Sequence, residues 1–465
     1  MLSRFAARLA DWAQRWVPDP FVIALALTAL TFALGWLTMP APAEGSRAAA
    51  LVAGWWKRAV APESLAFTTQ IALILVAGSA LARSPLVSRA LSALAARPTT
   101  TAQAASLTAT VAIVGSLLNW GFGLIVSAVL ARQIGARFSA AGRKLDYPLV
   151  AAAGFVAMMV WHGGLSGSAP LKVAESGPGA GLPPIPLSET LFAPFNLVLC
   201  AALLLVVPWL FARMASPAHE RLWSVAPLGP ADESPADAAV DAGGGREAPR
   251  RALGWVATAL MVAVVLVAGA AVVQVFSANG VLRGVTLNTV IVLLLLGGLL
   301  LFRSPVRYAR AFEASAGEAG AILLQFPFYF GVLGLLEAGG LVEVLAGRTA
   351  GAASALAAAG LPAQWSLDLV VWLSAALVNF FVPSGGGQWA VQGPIVVQAA
   401  RDLHLSVPRA VMALAYGDQW SNMLQPFWAL PLLGLTGLRA RDILGYALAI
   451  MLAAAPLFAL ALLLH

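Results

Sequence analysis

Apolar residues run along this chain in long continuous blocks separated by short polar segments. Blocks of ~17–25 apolar residues match the hydrocarbon thickness that a membrane helix must cross. Phe21–Leu37, Thr68–Leu81, Leu191–Phe211, Leu253–Val275, Val285–Phe302, Gly320–Leu336 and Ile443–Leu464 read as uninterrupted spans. Tyr147–Pro170 and Pro408–Leu432 read as spans interrupted at Trp161–Pro170 and at Gly417–Pro426. Two further pairs of apolar arms are broken at their middles. Thr99–Leu118 and Leu124–Ile134 flank Asn119–Gly123, and Leu367–Val378 and Ala390–Ala400 flank Asn379–Trp389. The pattern predicts an all-α polytopic membrane protein with about nine full spans and two re-entrant helical hairpins. Because the blocks are continuous, an outer-membrane barrel is excluded.

A repeat underlies the order. Gln70 precedes Asn119 by 49 positions and Gln325 precedes Asn379 by 54; Trp161 and Trp420 follow those asparagines by 42 and 41. Each half reads as span, span, surface helix, broken hairpin, interrupted span, span, with Leu86–Ala96 and Leu341–Leu345 marking the surface helices. Span five adds one crossing between the halves, so the second is expected to be inverted. The domains that follow are 1–17, an amphipathic interfacial helix; 18–213, the first repeat; 214–250, a Pro- and Gly-containing flexible cytoplasmic linker; 251–283, an inverting span; and 284–465, the second repeat.

Composition adds orientation and class. Hydrophobic residues make up 60% of the chain and charged residues 11%, well below a soluble domain. Of the 28 Lys and Arg, 20 fall on inner segments when the N-terminus is placed inside. That bias predicts a multi-pass protein with its N-terminus inside and its C-terminus outside. The net charge of +7 is explained by these loops and gives no reason to expect nucleic acid. Leu2, Phe5, Leu9, Trp12 and Trp16 share one face of the first helix, as in a helix lying at the interface. Trp55, Trp56, Lys57 and Arg58 read as an interfacial anchor. A single cysteine, Cys200, excludes an internal disulfide or a multi-cysteine metal cluster.

The four breaks carry the candidate chemistry. Irregular backbone at membrane depth needs protein, a cavity or a ligand to satisfy it, and transporters built from discontinuous helices place their sites at such breaks. Helices restarting after a break aim N–H groups and a positive dipole end at an anion. Substrate binding is therefore assigned to Asn119, Gly121, Gly123, Ser166, Ser168, Asn379, Ser384, Gly385, Gly386, Gly387, Gln388, Gln419 and Asn422. The richer tip, Asn379–Trp389, is expected to contribute more contact than its plainer counterpart. Asp418, a carboxylate in mid-span, is the candidate ion-coupling residue with Asn379 beside it, the ion being H+ or Na+; no cofactor or resident metal is expected. His162 reads as a packing histidine that could carry a proton. Gln70 and Gln325 read as buried amides bonded between helices. Gly164-Leu165-Ser166-Gly167 also fits the serine motif of intramembrane rhomboid proteases, which leaves a serine hydrolase using Ser166 as an alternative; no HExxH, Walker A or dinucleotide signature is present. A channel or receptor suits the paired inverted breaks less well than alternating access.

At these motifs the chain resembles the bacterial short-chain fatty acid transporter family of the acetoacetate and butyrate uptake type. The resemblance lies in Trp16–Pro20, Asn119–Gly123, Trp161 with Gly163–Ser168, Gln325–Tyr329, Asn379 with Pro383–Gly387, Gln392–Pro394, and Tyr416–Trp420 with Gln425–Trp428. It covers nearly the whole chain outside the 214–250 stretch. It implies a secondary carrier of short-chain fatty acids in an ion-transporter superfamily with paired hairpins. The chain departs from the family at His162, where a small residue is favoured, and at Asp418, where Glu also occurs. The implied partners are a small carboxylate and the lipid bilayer, with a homodimer possible by analogy and a dicarboxylate the alternative substrate.

Overall fold

The computed structural model describes residues 2–40, 45–178, 182–227, 247–284, 286–381 and 385–463. Among them the chain is helical apart from turns and one isolated antiparallel bridge, Leu145 to Arg221. Seven helices are long and apolar enough to cross a membrane: Pro20–Thr38, Pro62–Leu81, Thr101–Leu118, Pro194–Met214, Val256–Ala278, Gly320–Ala338 and Ala440–Leu463. The pair Tyr147–Met159 and Trp161–Glu175, bent by 42°, makes an eighth if it is one span. This is a multi-pass membrane protein. The set differs from the nine spans expected. Thr101–Leu118, taken as a hairpin arm, is long enough on its own, whereas the sixth span is the shorter apolar helix Asn288–Phe302.

Local chemistry sets the helix starts. Asp19, Thr100, Asn119, Asp146 and Thr286 each accept a hydrogen bond from a first-turn N–H of the helix they precede, the preferred use of short polar side chains at a helix start. Prolines sit just inside several starts, where a missing N–H costs nothing. The first helix, Leu2–Trp16, buries Ala6, Ala10 and Ala13 and leaves Phe5, Trp12 and Trp16 exposed. Its alanine face packs on the C-terminal helix, where Gly445 admits the Ala10 backbone. Trp55 and Arg58 belong to the helix Arg47–Ala59. That helix packs on Gly320–Ala338: Trp55 lies over Gly331, and Arg58 forms a two-bond pair with Glu337 at 2.6 and 2.7 Å. Gln70 is only half buried and donates to Asn288 at 2.7 Å.

Two helical hairpins organise the interior. In the first, Thr101–Leu118 turns at Asn119 into Trp120–Ala140. In the second, Ala363–Asn379 is followed by Gly385–Asp402, with 382–384 between them outside the described residues. Both are antiparallel. Arg143 and Asp146 bond Thr99 and Thr101 at the base of the first, while Ser406 and Arg409 bond Gln364 and Asp368 at the base of the second. The C-terminal helix reads their relative placement. Tyr446 bonds Asp146 at one base, and the Leu462 carbonyl accepts from Arg409 at the other. Sixteen residues of helix separate these contacts by about 24 Å at 1.5 Å per residue. The two hairpins thus enter from opposite ends, and their tips meet between them. Residues 215–227 run as mostly extended chain past the first base, pairing with Leu145 and setting Trp223 edge-to-face against Tyr147.

Candidate substrate site

The tips of both hairpins and the break in the first bent span wall one cavity of about 370 Å³. Asn119 and Trp120 come from the first tip, Gly385 and Gly386 from the second, and Trp161, Ser166 and Ser168 from the break; Phe67, Leu171 and Thr286 complete the lining. Seven of these ten residues precede residue 214, so the first half supplies more of the described wall than the richer second tip. Three helices start at this wall, at Trp120, Ser168 and Gly385. The described lining contains no lysine or arginine. It offers aromatic rings on one side and hydroxyls, an amide and helix starts on the other.

Each break is stitched to the hairpin tip of its own half. In the first, the Leu165 N–H donates to the Leu117 carbonyl at 2.8 Å, and the Trp120 N–H donates to Ser166 Oγ at 3.0 Å. Asn119 Oδ1 caps its own helix by accepting from Phe122 at 3.1 Å. In the second, Asn379 is fully buried and its Nδ2 faces the Asp418 carbonyl, Ser421 Oγ and Asn422 Oδ1 at 3.0, 3.0 and 2.8 Å. Gln425 donates to the Asn379 carbonyl. The second break is narrower than the sequence suggests: helix Val407–Ser421 continues through Gly417, Asp418 and Gln419, and only Asn422–Gln425 departs from it. Gly417 is a packing glycine, since a Cβ there would collide with the Trp372 carbonyl.

Behind the wall lies a buried acid–base pair. His162 and Asp418 are each 1% exposed, and His162 Nε2 lies 3.2 Å from Asp418 Oδ1, off the direction of a hydrogen bond. Asn422 donates to the same oxygen at 3.1 Å, while Oδ2 has no partner among the described residues. His162 Nδ1 accepts the Ser168 N–H at 3.1 Å. Trp161 stacks on the imidazole with centroids 4.3 Å apart, and Gly385 presses on its other edge, where a Cβ would collide with the ring. Gln419 Oε1 accepts the Gly163 N–H at 3.0 Å, so the first break is tied to helix Val407–Ser421 at this depth.

The remaining assigned residues are distributed as follows. Ser384 lies outside the described residues. Gly387 is half buried beside the lining. Gln388 is buried between its hairpin arms, donating to the Ala375 carbonyl at 2.8 Å and to Gln392 at 3.1 Å. Gly123 packs on the Ser116 backbone, and Gly121 lines a separate apolar cleft with Ile74 and Gly78. Gln325 lines another cavity, near Asp19 and Arg439. His162 has a neighbour that the sequence does not show, Asp418. Its partner lies 256 positions away, and the only local signal was a histidine inside a glycine-rich break. The hydrolase arrangement does not form, because Ser166 Oγ accepts from Trp120, His162 Nδ1 accepts from the Ser168 N–H, and His162 Nε2 faces Asp418.

The family model described as short chain fatty acid transporter matches residues 1–465. A protein of Escherichia coli (strain K12) named "putative short-chain fatty acid transporter" is 36% identical over 473 residues, covering 99% of each chain. A protein of the same name from Haemophilus influenzae is 34% identical over 476 residues, again with 99% of each covered. Among solved structures, the Alcanivorax borkumensis YdaH transporter aligns with 19% identity over 96% of this chain and 97% of that one, at a TM-score of 0.45.

Proposed function

The chain belongs to the short chain fatty acid transporter family, and we propose that within it this protein is a secondary active carrier that takes up small monocarboxylates across a bacterial cytoplasmic membrane by alternating access. The observation that carries this reading is the single cavity at which two hairpins, entering from opposite ends, meet a broken span. That placement favours inverted repeats with re-entrant hairpins, the arrangement in which midplane sites are built. The carboxylate is held at the helix starts of Trp120, Ser168 and Gly385 with Asn119 and Ser166 beside them. The short alkyl tail lies against Phe67, Trp120, Trp161 and Leu171. A pocket of this size with a largely apolar wall and a few convergent polar groups suits a small amphiphilic anion. Asn379, Gln388, Gln419 and Asn422 act one layer back by shaping the second tip and its break.

Asp418 couples substrate to the ion gradient. The test is Asp418→Asn in proteoliposomes, with protein-free liposomes as the baseline for permeation of the neutral acid. Labelled butyrate accumulation driven by an imposed ion gradient should be lost, while counterflow exchange persists. Accumulation at the wild-type rate would remove the coupling role.

A further inference from the structure

Resting on that transport reading, we propose that the coupled ion is a proton carried on His162, and that its arrival at Nδ1 releases the Ser168 backbone N–H to the substrate carboxylate. The hydrogen bonds fix the protonation chemistry. Because Nδ1 accepts the Ser168 N–H, the neutral ring must keep its single proton on Nε2, the nitrogen facing Asp418. A second proton can enter only at Nδ1, and once there it abolishes the acceptor that Ser168 uses. Ser168 begins its helix and lines the cavity. Its N–H is one of the first-turn donors that have no partner within the helix. The freed N–H and the new Nδ1–H then form a pair of donors at the cavity wall, and the imidazolium rests on the Asp418 carboxylate, whose Oδ2 is unpartnered among the described residues.

Charge makes the two events obligatory partners. Without substrate the site holds one negative charge, on Asp418. A carboxylate arriving alone would make two in a wall whose described residues include no lysine or arginine, a large penalty at low dielectric. With the proton the count stays at one. Proton without anion leaves two donors facing each other, and anion without proton leaves the Ser168 N–H occupied. The proton comes from water on the side where the substrate enters and returns to water on the other.

Apart from Asp418, the titratable groups around the ring are engaged elsewhere or exposed. Tyr416, on the Asp418 helix, bonds Asn196. The Cys200 thiol faces the Gly163 carbonyl at 3.6 Å. From the second hairpin, Asp368 is paired with Arg409 of the Asp418 helix at 2.7 Å. Lys172 and Glu175, further along the Ser168 helix, are exposed. Trp161, Gly385 and Asn422 bring no charge.

The experiment measures proton uptake when butyrate binds to the purified full-length protein in weakly buffered detergent solution, for wild type and for His162→Gln. The wild type should take up about one proton per butyrate bound, whereas His162→Gln should bind butyrate much more weakly and, at the concentrations where it does bind, take up none. Equal uptake by the variant places the proton elsewhere and overturns the proposal. Wild-type binding that needs sodium and takes up no proton overturns it too, leaving the transport reading intact. The wild-type measurement is decisive if the variant fails to fold. Failure of the wild type to bind any C2–C6 acid removes the transport reading and the proposal with it.

Discussion

The two hairpins reach the same cavity but are fastened there by different chemistry. The first is locked through backbone. A Cβ on Gly123 would collide with Ser116, one on Gly164 would collide with Leu117, and the Leu165 N–H bonds the Leu117 carbonyl directly. The second has one such contact, Gly417 on the Trp372 carbonyl, and is otherwise held by polar side chains, with the amides of Asn379, Asn422 and Gln425 and the Ser421 hydroxyl bonded around Asp418. Backbone surfaces packed at contact distance have one arrangement. Amides have several donors and acceptors and can trade partners. The comparison marks the first joint as the more rigid and the second as the one whose bonds can rearrange.

The largest expected effect tests the more rigid joint. Gly123→Val forces the arms of the first hairpin apart against two backbones, and overpacking of this kind costs about 3 kcal/mol or more. The expected outcome is loss of monodisperse protein after detergent extraction. Gly386, at the second tip, has open space around it, so Gly386→Ala should yield folded protein with altered butyrate affinity. Similar expression of both variants would erase the contrast between the two tips.

Asn379→Ala comes next. It removes one buried amide facing three acceptors and leaves them short of a donor, at a cost of about 2–4 kcal/mol. Thermal unfolding of the purified protein should show the loss, together with reduced counterflow of labelled butyrate. A variant that is destabilised but transports normally would make the cluster structural only.

How much of this was legible beforehand follows the same division. The helices, the Asn119 turn and the bend after Tyr147 were readable because they depend on local signals: apolar length, a capping asparagine and a glycine run. The glycines themselves were ambiguous. Gly123 and Gly417 serve close packing and Gly385 makes room for a histidine ring, yet all three look alike in sequence. The His162–Asp418 pair was beyond reach, since which faces of two distant segments meet is decided by tertiary packing. The docking of residues 215–227 was hidden for the same reason, because polar extended chain gives no periodicity.

The bases of the hairpins extend the comparison. At the second, Asp368 meets Arg409; at the first, Asp146 meets the Tyr446 hydroxyl at 2.6 Å and no cation at salt-bridge distance is seen among the described residues. Burial raises the Asp146 carboxyl from its ordinary 3.8 to about 6, against the lowering effects of its bonds to Tyr446 and Leu149 and of nearby His219. A raised acid binds more protons folded than unfolded, so its contribution is fully present below pH 3.8 and is lost as pH rises through about 6. The shift corresponds to about 3 kcal/mol. Asp146→Asn should flatten this part of the stability profile and leave the variant more stable than wild type above pH 6, as read by thermal unfolding across that range.

Ser166→Ala is the smallest change and closes the comparison from the other side. Ser166 Oγ is the one side-chain bond between the first tip and its break that lies on the cavity wall, accepting the Trp120 N–H at 3.0 Å. Its loss costs about 1 kcal/mol, because the backbone bond from Leu165 and the glycine contacts still hold the joint. The Trp120 N–H, freed at a helix start, then gains the same availability proposed for Ser168. Thermal stability should fall slightly, and butyrate affinity should change little, the lost Ser166 hydroxyl being offset by the freed Trp120 N–H. A fall in stability as large as that of Asn379→Ala would mean that the first joint also depends on side chains. The two hairpins would then differ in residue type but not in the way they are held.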